Sequence, residues 1–503
     1  MAKLCLCLTG KTLAQDLEIL EKYRKYIDLA ELRVDCLNPD ERFLIRSFPE
    51  QAELPVILTI RRDTEGGCFT GGEGARIRLF SQGLAFADAD RRRNFAYVDI
   101  EEDLNVPSLE DAARTFGTRI IRSYHNLKGV DDDIVKRLRG LSRVGDELVK
   151  VAVAPQSSED VLRVVRAAKA SSGMDKILLC MGHLGAFTRI LAEQLGSQIS
   201  YTTVKEPDVH LGAPGQFDPK ELAELYRFRK ITKRTKIFGV VGYPLKVTGS
   251  PHFFNTIFGL EETDAVYVPF PSDSIDAFMK IAGELGVSGV SVTVPYKEAI
   301  LPYLTHESAL VESIGACNTI ARNAQGWDGT NTDAMGFSDS LLQFIKKDNL
   351  KGKKVTIIGA GGAARAVAAE LDRLGAKKVL ILNRSPQRAR DLAAAHKHFL
   401  WGALDNRGIE LMEKCSDIIV QTTPAGMEGN AAHDPLELYS FTGREAVMDL
   451  VYRPEVTPFL KRAAAAGCPI LNGYDMLIRQ ARYQYFQFLK KEFPPELMSR
   501  VKF

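Results

Sequence analysis

Paired cysteines, long apolar runs and an excess of either charge are all missing from this sequence. Eight cysteines occur in 503 residues, none of them in a Cys-x-x-Cys pair. This usage is typical of a reducing compartment and not of a disulfide-stapled secreted protein. No apolar run approaches the ~18 residues of a membrane-spanning helix. A net charge of +2 argues against a nucleic acid or a membrane surface as the partner.

The first residues also lack the features of a targeting segment. Met1 and Lys3 lead directly into an apolar run, so we expect neither a signal peptide nor a transit peptide. Together with the cysteine usage, this predicts a cytoplasmic protein. The composition, 26% charged and 45% hydrophobic, is that of a globular protein. At ~150 residues per domain, the length predicts about three domains.

A glycine-rich turn between two β-rich runs is the most informative stretch. Residues 353–385 predict a strand, a turn, a helix over 363–374 and a second strand over 379–382. Glycines in such a turn let the backbone approach a pyrophosphate at the helix N-terminus. The stretch predicts a dinucleotide-binding Rossmann unit, with an ordinary buried βαβ unit as the alternative. The predicted turn residues are Gly359, Ala360, Gly361, Gly362 and Ala363.

The end of the second strand indicates which dinucleotide binds. An NAD-binding domain places an acidic residue there to accept the ribose 2′-hydroxyl. This chain instead has Asn383, Arg384 and Ser385, with Arg388 one turn later and Arg365 beside the glycines. Because guanidinium groups bind a 2′-phosphate that a carboxylate would repel, we expect NADP (as NADPH) and not NAD.

The first 228 residues alternate apolar runs with helix-favouring stretches. Eight such βα units predict an α/β fold with an N-terminal (β/α)8 barrel, and a doubly wound open sheet is the alternative. Barrels place their chemistry at the carboxyl ends of the strands. Unusual polar residues lie at those ends: Glu31, Arg33, Arg61, Glu65 and His125.

Lys150 lies inside an apolar run, LVKVAVA, that contains no carboxylate. Charging a lysine inside a barrel is costly, and a neutral amine is what Schiff-base catalysis requires. The alternative is an outward-facing lysine that extends along a helix. His125 ends the preceding strand, within reach of Lys150 in a barrel, and could serve as the acid/base for proton abstraction beside an imine.

Several motifs in the first 230 residues resemble those of type I 3-dehydroquinate dehydratases: ELRVD, TIRRDTEGG, SYHN, KVAVAP, MGHLGAFTR and APGQ. The resemblance implies that Lys150 forms the Schiff base with the substrate ketone and that His125 is the general acid/base. It also implies substrate-holding roles for Glu31, Arg33, Arg61, Glu65, Arg189 and Gln216.

Residues 236–503 are similar to shikimate dehydrogenases, through the motifs SVTVPYK, SIGACNTI, WDGTNTDAMGF and DLVYRPEVTP. The resemblance implies a catalytic pair, Lys297 and Asp333, which donates a proton to the alkoxide formed on hydride transfer. The substrate contacts that it implies are Thr248, Ser250, Thr293, Asn318, Tyr452 and Gln480. Beyond the glycine turn, it places Thr422, Leu450 and Gly473 at the cofactor.

Three positions depart from the patterns of these families. Gly212 stands where a serine usually precedes APGQ, and Val247 stands where a histidine is usual. Ser291 replaces an asparagine before Val292-Thr293. Each change removes or replaces a polar group beside a substrate, so we expect an effect on affinity or on substrate range.

Together, these observations predict a bifunctional shikimate-pathway enzyme without a metal. The expected domains are a barrel over 1–230, a substrate domain over 236–335 completed by helices in 476–503, and an NADP domain over 336–475. The barrel would dehydrate 3-dehydroquinate, and the second half would reduce 3-dehydroshikimate to shikimate. The alternatives are a quinate/shikimate dehydrogenase of broader specificity fused to a dehydratase, or a ligand-sensing regulator. The latter conflicts with the presence of all four catalytic candidates and with the absence of a recognisable DNA-binding segment.

Overall fold

The chain folds into two compact units. The computed structural model describes residues 1–85, 88–141, 143, 145–206, 213–245, 248–430 and 433–501. The first unit comprises Met1–Val287 together with residues 499–501, and the second comprises Ser288–Met498.

Eight parallel strands form the sheet of the barrel, in the order β7-β6-β5-β4-β3-β2-β1-β8. They are β1 (Lys3–Leu8), β2 (Leu29–Arg33), β3 (Val56–Thr59), β4 (Tyr97–Glu101), β5 (Arg119–Asn126), β6 (Leu148–Val153), β7 (Lys176–Cys180) and β8 (Ile199–Thr202). Strands β7 and β8 meet where the Gln198 N–H donates to the Lys176 carbonyl at 2.8 Å. The predicted barrel is therefore confirmed, and the alternative of a doubly wound open sheet is wrong.

Helices follow the strands and cover the outside of the barrel. They are α1 (Leu13–Tyr23), α2 (Phe48–Ala52), α3 (Glu73–Leu84), α4 (Pro107–Thr115), α5 (Ile134–Leu141), α6 (Ser158–Ala170) and α7 (Phe187–Ile190). Thr12 and Ser157 cap α1 and α6 through their hydroxyl groups, which satisfies backbone N–H groups that the first turn leaves free. Outward-facing strand residues such as Leu32 and Val98 pack under this helical layer. Inward-facing residues such as Ile57 and Tyr201 fill the interior.

The first unit continues beyond the barrel into a second βα layer. Here β9 (Lys236–Gly242) and β10 (Ala265–Pro271) pair in parallel, with α8 (Ser250–Leu260) and α9 (Ile275–Leu285) between and after them. Helix α9 lies against α6 of the barrel, where Lys169 forms a 2.8 Å ion pair with Glu284.

The second unit begins with four strands and two helices. These are β11 (Gly289–Val292), β12 (His306–Glu307), β13 (Thr319–Arg322), β14 (Trp327–Thr330), α10 (Ala309–Ile314) and α11 (Thr332–Ile345). Strand β13 pairs antiparallel with both β11 and β14. The turn from β14 into α11 carries Asn331, whose side chain caps the helix and places Asp333 in its first turn.

A six-stranded parallel sheet forms the rest of the second unit, in the order β17-β16-β15-β18-β19-β20. Its strands are β15 (Lys354–Ile358), β16 (Lys378–Asn383), β17 (Phe399–Ala403), β18 (Ile418–Gln421), β19 (Ala446–Asp449) and β20 (Ile470–Leu471). The remaining helices are α12 (Gly362–Arg373), α13 (Pro386–Ala394), α14 (Asn406–Glu413), α15 (Pro458–Ala465) and α16 (Tyr474–Leu489). Strand order reverses between β15 and β18, and in open α/β sheets such a point marks the ligand crevice.

Candidate active sites

Lys150 lies on β6 and points into the barrel, where it is only 5% exposed. Its Nζ is 2.8 Å from Oδ2 of Asp99 on β4 and 3.8 Å from Oε1 of Glu31 on β2. The sequence analysis found no carboxylate near this lysine because the partners come from other strands. The amine is thus buried within an ion pair, and the alternative of an outward-facing lysine is wrong.

Asp99 also binds Arg61, which joins the lysine to a larger charge network. Arg61 donates to Asp99 at 2.7 Å and to Glu101 at 2.8 Å. Burial alone would raise the pKa of Asp99, but Arg61 and Lys150 lower it well below its usual range. Asp99 therefore remains ionised beside the lysine, so that one carboxylate is shared by two cations.

His125 ends β5 beside this network and contacts Glu65. Its Nδ1 is 3.1 Å from Glu65 Oε2. Burial, followed by the charges of Arg61 and Lys150, lowers the pKa of His125 well below its usual value. Burial raises the pKa of Glu65 to about 7. The imidazole is therefore neutral at physiological pH and able to accept a proton.

Glu31 and Arg33, two predicted substrate contacts on β2, already have protein partners. Glu31 accepts hydrogen bonds from the hydroxyl of Thr59 at 2.9 Å and from the thiol of Cys7 at 3.2 Å. The guanidinium of Arg33 binds both oxygens of Asp35, at 3.0 and 2.7 Å. Both side chains are thereby fixed in position at the carboxyl end of β2.

Arg189 is the most unusual polar side chain of the barrel. It is 1% exposed, and none of its three guanidinium nitrogens has a hydrogen-bond partner among the described residues. Burial lowers its pKa to about 10. A buried cation without partners is costly, and a bound anion would supply the missing acceptors. Gln216 also has a buried Oε1 for which no described residue is a hydrogen-bond partner, while its Nε2 lies 3.6 Å from the Cys7 sulfur.

Lys297 and Asp333 form an ion pair in the second unit. Lys297 follows β11, and its Nζ donates to Asp333 Oδ2 at 2.6 Å. Both side chains are largely buried, with exposed fractions of 16% and 14%. The predicted pair therefore comes together across 36 residues of sequence.

Asn318 and Gln480 lie in the same unit, joined through Thr332. The Asn318 amide donates to the Thr332 hydroxyl at 3.0 Å, and its Oδ1 accepts from the Thr332 N–H at 2.7 Å. That hydroxyl also donates to Gln480 Oε1 at 3.4 Å. Thr332 directly precedes Asp333, so these amides fix the turn that holds the carboxylate. Thr293 and Tyr452, also predicted contacts, are half-buried.

Of the three positions that depart from the family patterns, the structure describes only Ser291. Ser291 donates to Gln484 Oε1 at 2.9 Å and is therefore part of a buried polar contact. Gly212 and Val247 lie outside the described residues. In the first unit, the hydroxyl groups of Thr248 and Ser250 are 3.4 Å apart.

The glycine turn has the geometry that a dinucleotide requires. Gly359 has φ +113°, and a Cβ at this position would lie 2.5 Å from the Thr422 hydroxyl. That hydroxyl donates to the Ile358 carbonyl at 2.7 Å. Helix α12 begins at Gly362, so its free N–H groups face the turn. The predicted strand, turn, helix and second strand are all present.

The turn lies beside the Lys297–Asp333 pair. A Cβ at Gly362 would contact Cδ of Lys297 at 3.3 Å. On the other side of the sheet's reversal point, a Cβ at Gly473 would lie 2.1 Å from the Leu450 carbonyl oxygen. Glycine is therefore required at 473, because the Leu450 backbone already occupies the space of a side chain, and Gly362 lets the start of α12 lie close to Lys297.

The arginines after β16 are free to bind a 2′-phosphate, as the sequence predicts. Arg365, by contrast, already pairs with a carboxylate of the protein. Arg384 and Arg388 are exposed, and neither forms an ion pair within the described part of the chain. Asn383 donates to the Ser385 carbonyl at 3.0 Å and fixes this corner. The Nε of Arg365 pairs with Glu298 at 3.2 Å, close to Lys297 in sequence.

One potential metal-ligand cluster occurs in the described residues, but its carboxylate is already in use. Asp35, Cys36 and Cys68 place ligand atoms within 4.8 Å of one another. Both Asp35 oxygens accept hydrogen bonds from Arg33. His396 contacts Asp372 at 2.9 Å.

Within the described ranges, no helix is both long and apolar enough to cross a membrane.

Three site residues were missed in the sequence analysis: Asp99, Glu101 and Tyr201. Asp99 and Glu101 alternate in FAYVDIE, which places both on one face of an otherwise apolar strand. That pattern could have identified them as interior carboxylates. The ring of Tyr201 lies 4.3 Å from the Lys150 Nζ, a contact that depends on barrel closure.

The fold and the two sites define an α/β enzyme that joins a barrel with a buried, ion-paired lysine to a dinucleotide-dependent oxidoreductase. Comparison with known families supports this class. Models described as type I 3-dehydroquinase, shikimate dehydrogenase substrate binding domain and shikimate/quinate 5-dehydrogenase match residues 4–233, 240–320 and 341–427, respectively.

Two bifunctional or shikimate-biosynthesis proteins are similar to nearly the whole chain. The chain is 30% identical over 496 residues to the Arabidopsis thaliana chloroplastic bifunctional 3-dehydroquinate dehydratase/shikimate dehydrogenase, covering 94% of this chain and 79% of the relative. It is 28% identical to the Chlamydia pneumoniae shikimate biosynthesis protein AroDE, covering 98% and 96% of the two chains. A crystal structure of a shikimate dehydrogenase with NADP+ aligns at 30% identity and a TM-score of 0.50, over 54% of this chain and 98% of that one. The chain belongs to the bifunctional 3-dehydroquinate dehydratase/shikimate dehydrogenase family.

Proposed function

We propose that the chain carries out two consecutive steps of the shikimate pathway. The barrel dehydrates 3-dehydroquinate to 3-dehydroshikimate, and the second half reduces 3-dehydroshikimate to shikimate with NADPH. The observation that carries the proposal is the pair of buried lysines, Lys150 in the barrel and Lys297 beside the glycine turn. We retain 1–230, 236–335 with 476–503, and 336–475 as the functional modules.

In the barrel, Lys150 acts as the nucleophile toward the ketone of 3-dehydroquinate. Its amine adds to the carbonyl carbon, water leaves, and a protonated imine forms. Asp99, 2.8 Å from Nζ, stabilises this cation. The neutral His125 removes a proton from the carbon adjacent to the imine, and the ring hydroxyl leaves as water once His125 returns the proton. Hydrolysis of the imine then releases 3-dehydroshikimate and the free amine.

The substrate is a carboxylate, and the unpartnered Arg189 supports its binding here. Its guanidinium needs acceptors in a buried place, and a bidentate carboxylate supplies two. Glu31, Arg33 and Arg61 are fixed by hydrogen bonds around the same interior. We propose that these residues, with Gln216, orient the hydroxyl groups and the carboxylate of the substrate.

In the second half, Lys297 supplies the proton for the new alcohol. NADPH, when held by the residues described below, would supply the hydride for the ketone carbon of 3-dehydroshikimate. Lys297 Nζ holds a proton that it shares with Asp333 Oδ2 at 2.6 Å, and it donates that proton as negative charge develops on the oxygen. Asn318, through Thr332, keeps Asp333 in place. Thr248, Ser250, Thr293, Tyr452 and Gln480 are the proposed remaining substrate contacts.

The glycine turn and the β16 corner hold the cofactor. Residues 359–363 would hold the pyrophosphate, and Thr422, Leu450 and Gly473 would hold the nicotinamide end. Arg384 and Arg388 bind the 2′-phosphate together with Asn383 and Ser385. Arg365 contributes charge beside the turn while paired with Glu298. We also propose a cytoplasmic location, supported by eight cysteines that are all free.

Borohydride trapping tests the imine directly. Sodium borohydride added with 3-dehydroquinate should reduce the iminium and leave the ligand covalently bound to Lys150. Mass spectrometry of the digested protein identifies the modified lysine. A digest without an adduct, or with one on another lysine, would contradict the assignment.

A further inference from the structure

Tyr201 is a buried tyrosine on β8 that the reaction described above does not use. It is 3% exposed, and its hydroxyl has no hydrogen-bond partner among the described residues. A buried hydroxyl without a partner is costly. Its position therefore points to a partner that arrives with the substrate.

The ring of Tyr201 lies against the reactive amine. Lys150 Nζ is 4.3 Å from the ring centroid, a distance typical of a cation–π contact. An aromatic face attracts a cation, so the ring favours the charged iminium as well as the ammonium. The aliphatic packing around Tyr201, which includes Ile57 and Ile199, fixes the ring in this orientation.

Arg189 is close enough to Tyr201 for the phenol to act on the pKa of its guanidinium, which burial lowers. Its backbone carbonyl accepts a hydrogen bond at 2.8 Å from the hydroxyl of Ser200, the residue before Tyr201. Both Arg189 and Tyr201 are buried donors without an acceptor in the part of the chain that the structure describes. Burial raises the pKa of Tyr201 well above its usual value, so the phenol keeps its proton and can donate it in a hydrogen bond.

We propose that Tyr201 is a further catalytic residue of the barrel, holding the Lys150 nitrogen with its ring face and donating its hydroxyl proton in a hydrogen bond to the substrate carboxylate beside Arg189. This inference rests on the proposed imine at Lys150. One carboxylate that accepts from both donors would supply the acceptors that neither finds within the described ranges. The residue therefore contributes both to the affinity for the acid and to the stability of the iminium.

Two substitutions test the contributions of the Tyr201 hydroxyl and the Tyr201 ring separately. Tyr201→Phe removes one oxygen and keeps the ring, so KM for 3-dehydroquinate should rise about 10- to 100-fold, the range for losing a hydrogen bond to a charged group. Its kcat should change less than KM does. Tyr201→Leu removes the ring as well, so kcat should fall a further ~2- to 30-fold. A KM in Tyr201→Phe within twofold of the wild-type value would overturn the role of the hydroxyl.

Tyr124→Phe provides a matched control. This tyrosine is on β5, the strand next to that of Lys150, but its hydroxyl donates to Asp131 at 3.0 Å and its ring stacks on Arg137. Its loss should leave KM and kcat near the wild-type values. If KM for 3-dehydroquinate rose as much in Tyr124→Phe as in Tyr201→Phe, a specific role for Tyr201 would be overturned.

A simple acid tests the carboxylate assignment. Cyclohexanecarboxylate carries the anion without the ketone, so it should inhibit the wild-type dehydratase competitively. Its inhibition constant should weaken in Tyr201→Phe by about the same factor as the KM. Equal inhibition of both proteins, or none of the wild type, would contradict a contact with the carboxylate.

Borohydride trapping distinguishes this inference from the proposed function. Trapping of the wild type at Lys150, with full substrate affinity in Tyr201→Phe, would reject only the role of Tyr201. Failure of trapping in the wild type would reject the imine itself. We expect adducts on Lys150 in both proteins at saturating substrate.

Discussion

At the residue scale, the catalysis proposed for each half depends on a lysine that is paired with an aspartate. Lys150 pairs with Asp99 at 2.8 Å, and Lys297 pairs with Asp333 at 2.6 Å. The chemistry asked of the two lysines differs. The first must lose its proton to attack a ketone, whereas the second must donate a proton to an alkoxide.

The Lys297–Asp333 pair predicts non-additive losses. Lys297→Ala should lower kcat for 3-dehydroshikimate reduction ~10²- to 10⁴-fold, because it removes the proton donor. Asp333→Asn should cause a similar loss, and the double variant should lose much less than the product of the two. NADPH affinity and dehydration of 3-dehydroquinate serve as internal controls and should remain near wild type. Steady-state kinetics of the three variants measure this, and fully multiplicative losses would mean that the two residues act separately.

Glu65 predicts an acidic limb in the pH profile of the dehydratase. Above its pKa of about 7, the Glu65 carboxylate accepts the Nδ1 proton of His125 and leaves Nε2 free to act as a base. Below that pKa, protonated Glu65 can donate to Nδ1, and the imidazole proton then occupies Nε2. The rate of dehydration should therefore rise as pH increases through about 7.

Glu65→Gln tests the origin of that limb. The amide oxygen can still accept the Nδ1 proton, but the side chain no longer titrates. The variant should lose the pH dependence between pH 6 and 8 while keeping measurable activity. An unchanged limb in kcat/KM would assign the titration to another group, because such profiles report apparent pKa values of the coupled site.

At the element scale, strand ends and the glycine turn bring the chemistry together. The carboxyl ends of β2, β3 and β5 carry Arg33, the Arg61 segment and His125. The turn after β15 and the ends of β16 and β18 carry the cofactor residues. This agrees with the general placement of ligands at the carboxyl ends of parallel strands.

The corner after β16 predicts cofactor choice. Arg384→Asp replaces a charge-assisted contact with repulsion of the 2′-phosphate, so NADPH binding should weaken by at least ~1.5–3 kcal/mol. NADH lacks that phosphate and should be affected much less. Arg390→Asp on the following helix, α13, is the control, since Arg390 stacks on Trp401. The dissociation constants of NADPH and NADH measure this effect. If NADH binding weakened as much as NADPH binding, the assignment of Arg384 to the 2′-phosphate would be contradicted.

The strands and the glycine turn could be predicted from the sequence because local residue patterns determine them. Alternating apolar runs identified the eight barrel strands, and Gly359 to Gly362 marked the turn. The Lys150–Asp99 contact did not follow, because it joins residues 51 positions apart through the registers of β4, β5 and β6. The pairing of Arg365 with Glu298 was missed for the same reason, because sequence motifs do not specify the partner of a charged side chain.

At the scale of the whole molecule, the chain joins two reactions in which the product of one is the substrate of the next. 3-Dehydroshikimate leaves the barrel as a ketone, and the second half acts on that ketone. Fusion ensures equal numbers of the two catalytic units. The two lysines lie in different compact units, so we expect each activity to be lost separately.

A coupled assay with separate variants tests the central claim most directly. Wild-type protein given 3-dehydroquinate and NADPH should form shikimate, detected by chromatography, with one NADPH oxidised per shikimate. Lys150→Ala should form none from 3-dehydroquinate but should still reduce added 3-dehydroshikimate, whereas Lys297→Ala should accumulate 3-dehydroshikimate. Mixing the two variants should restore shikimate formation. Absence of shikimate with the wild type, or loss of both activities in either variant, would contradict the account.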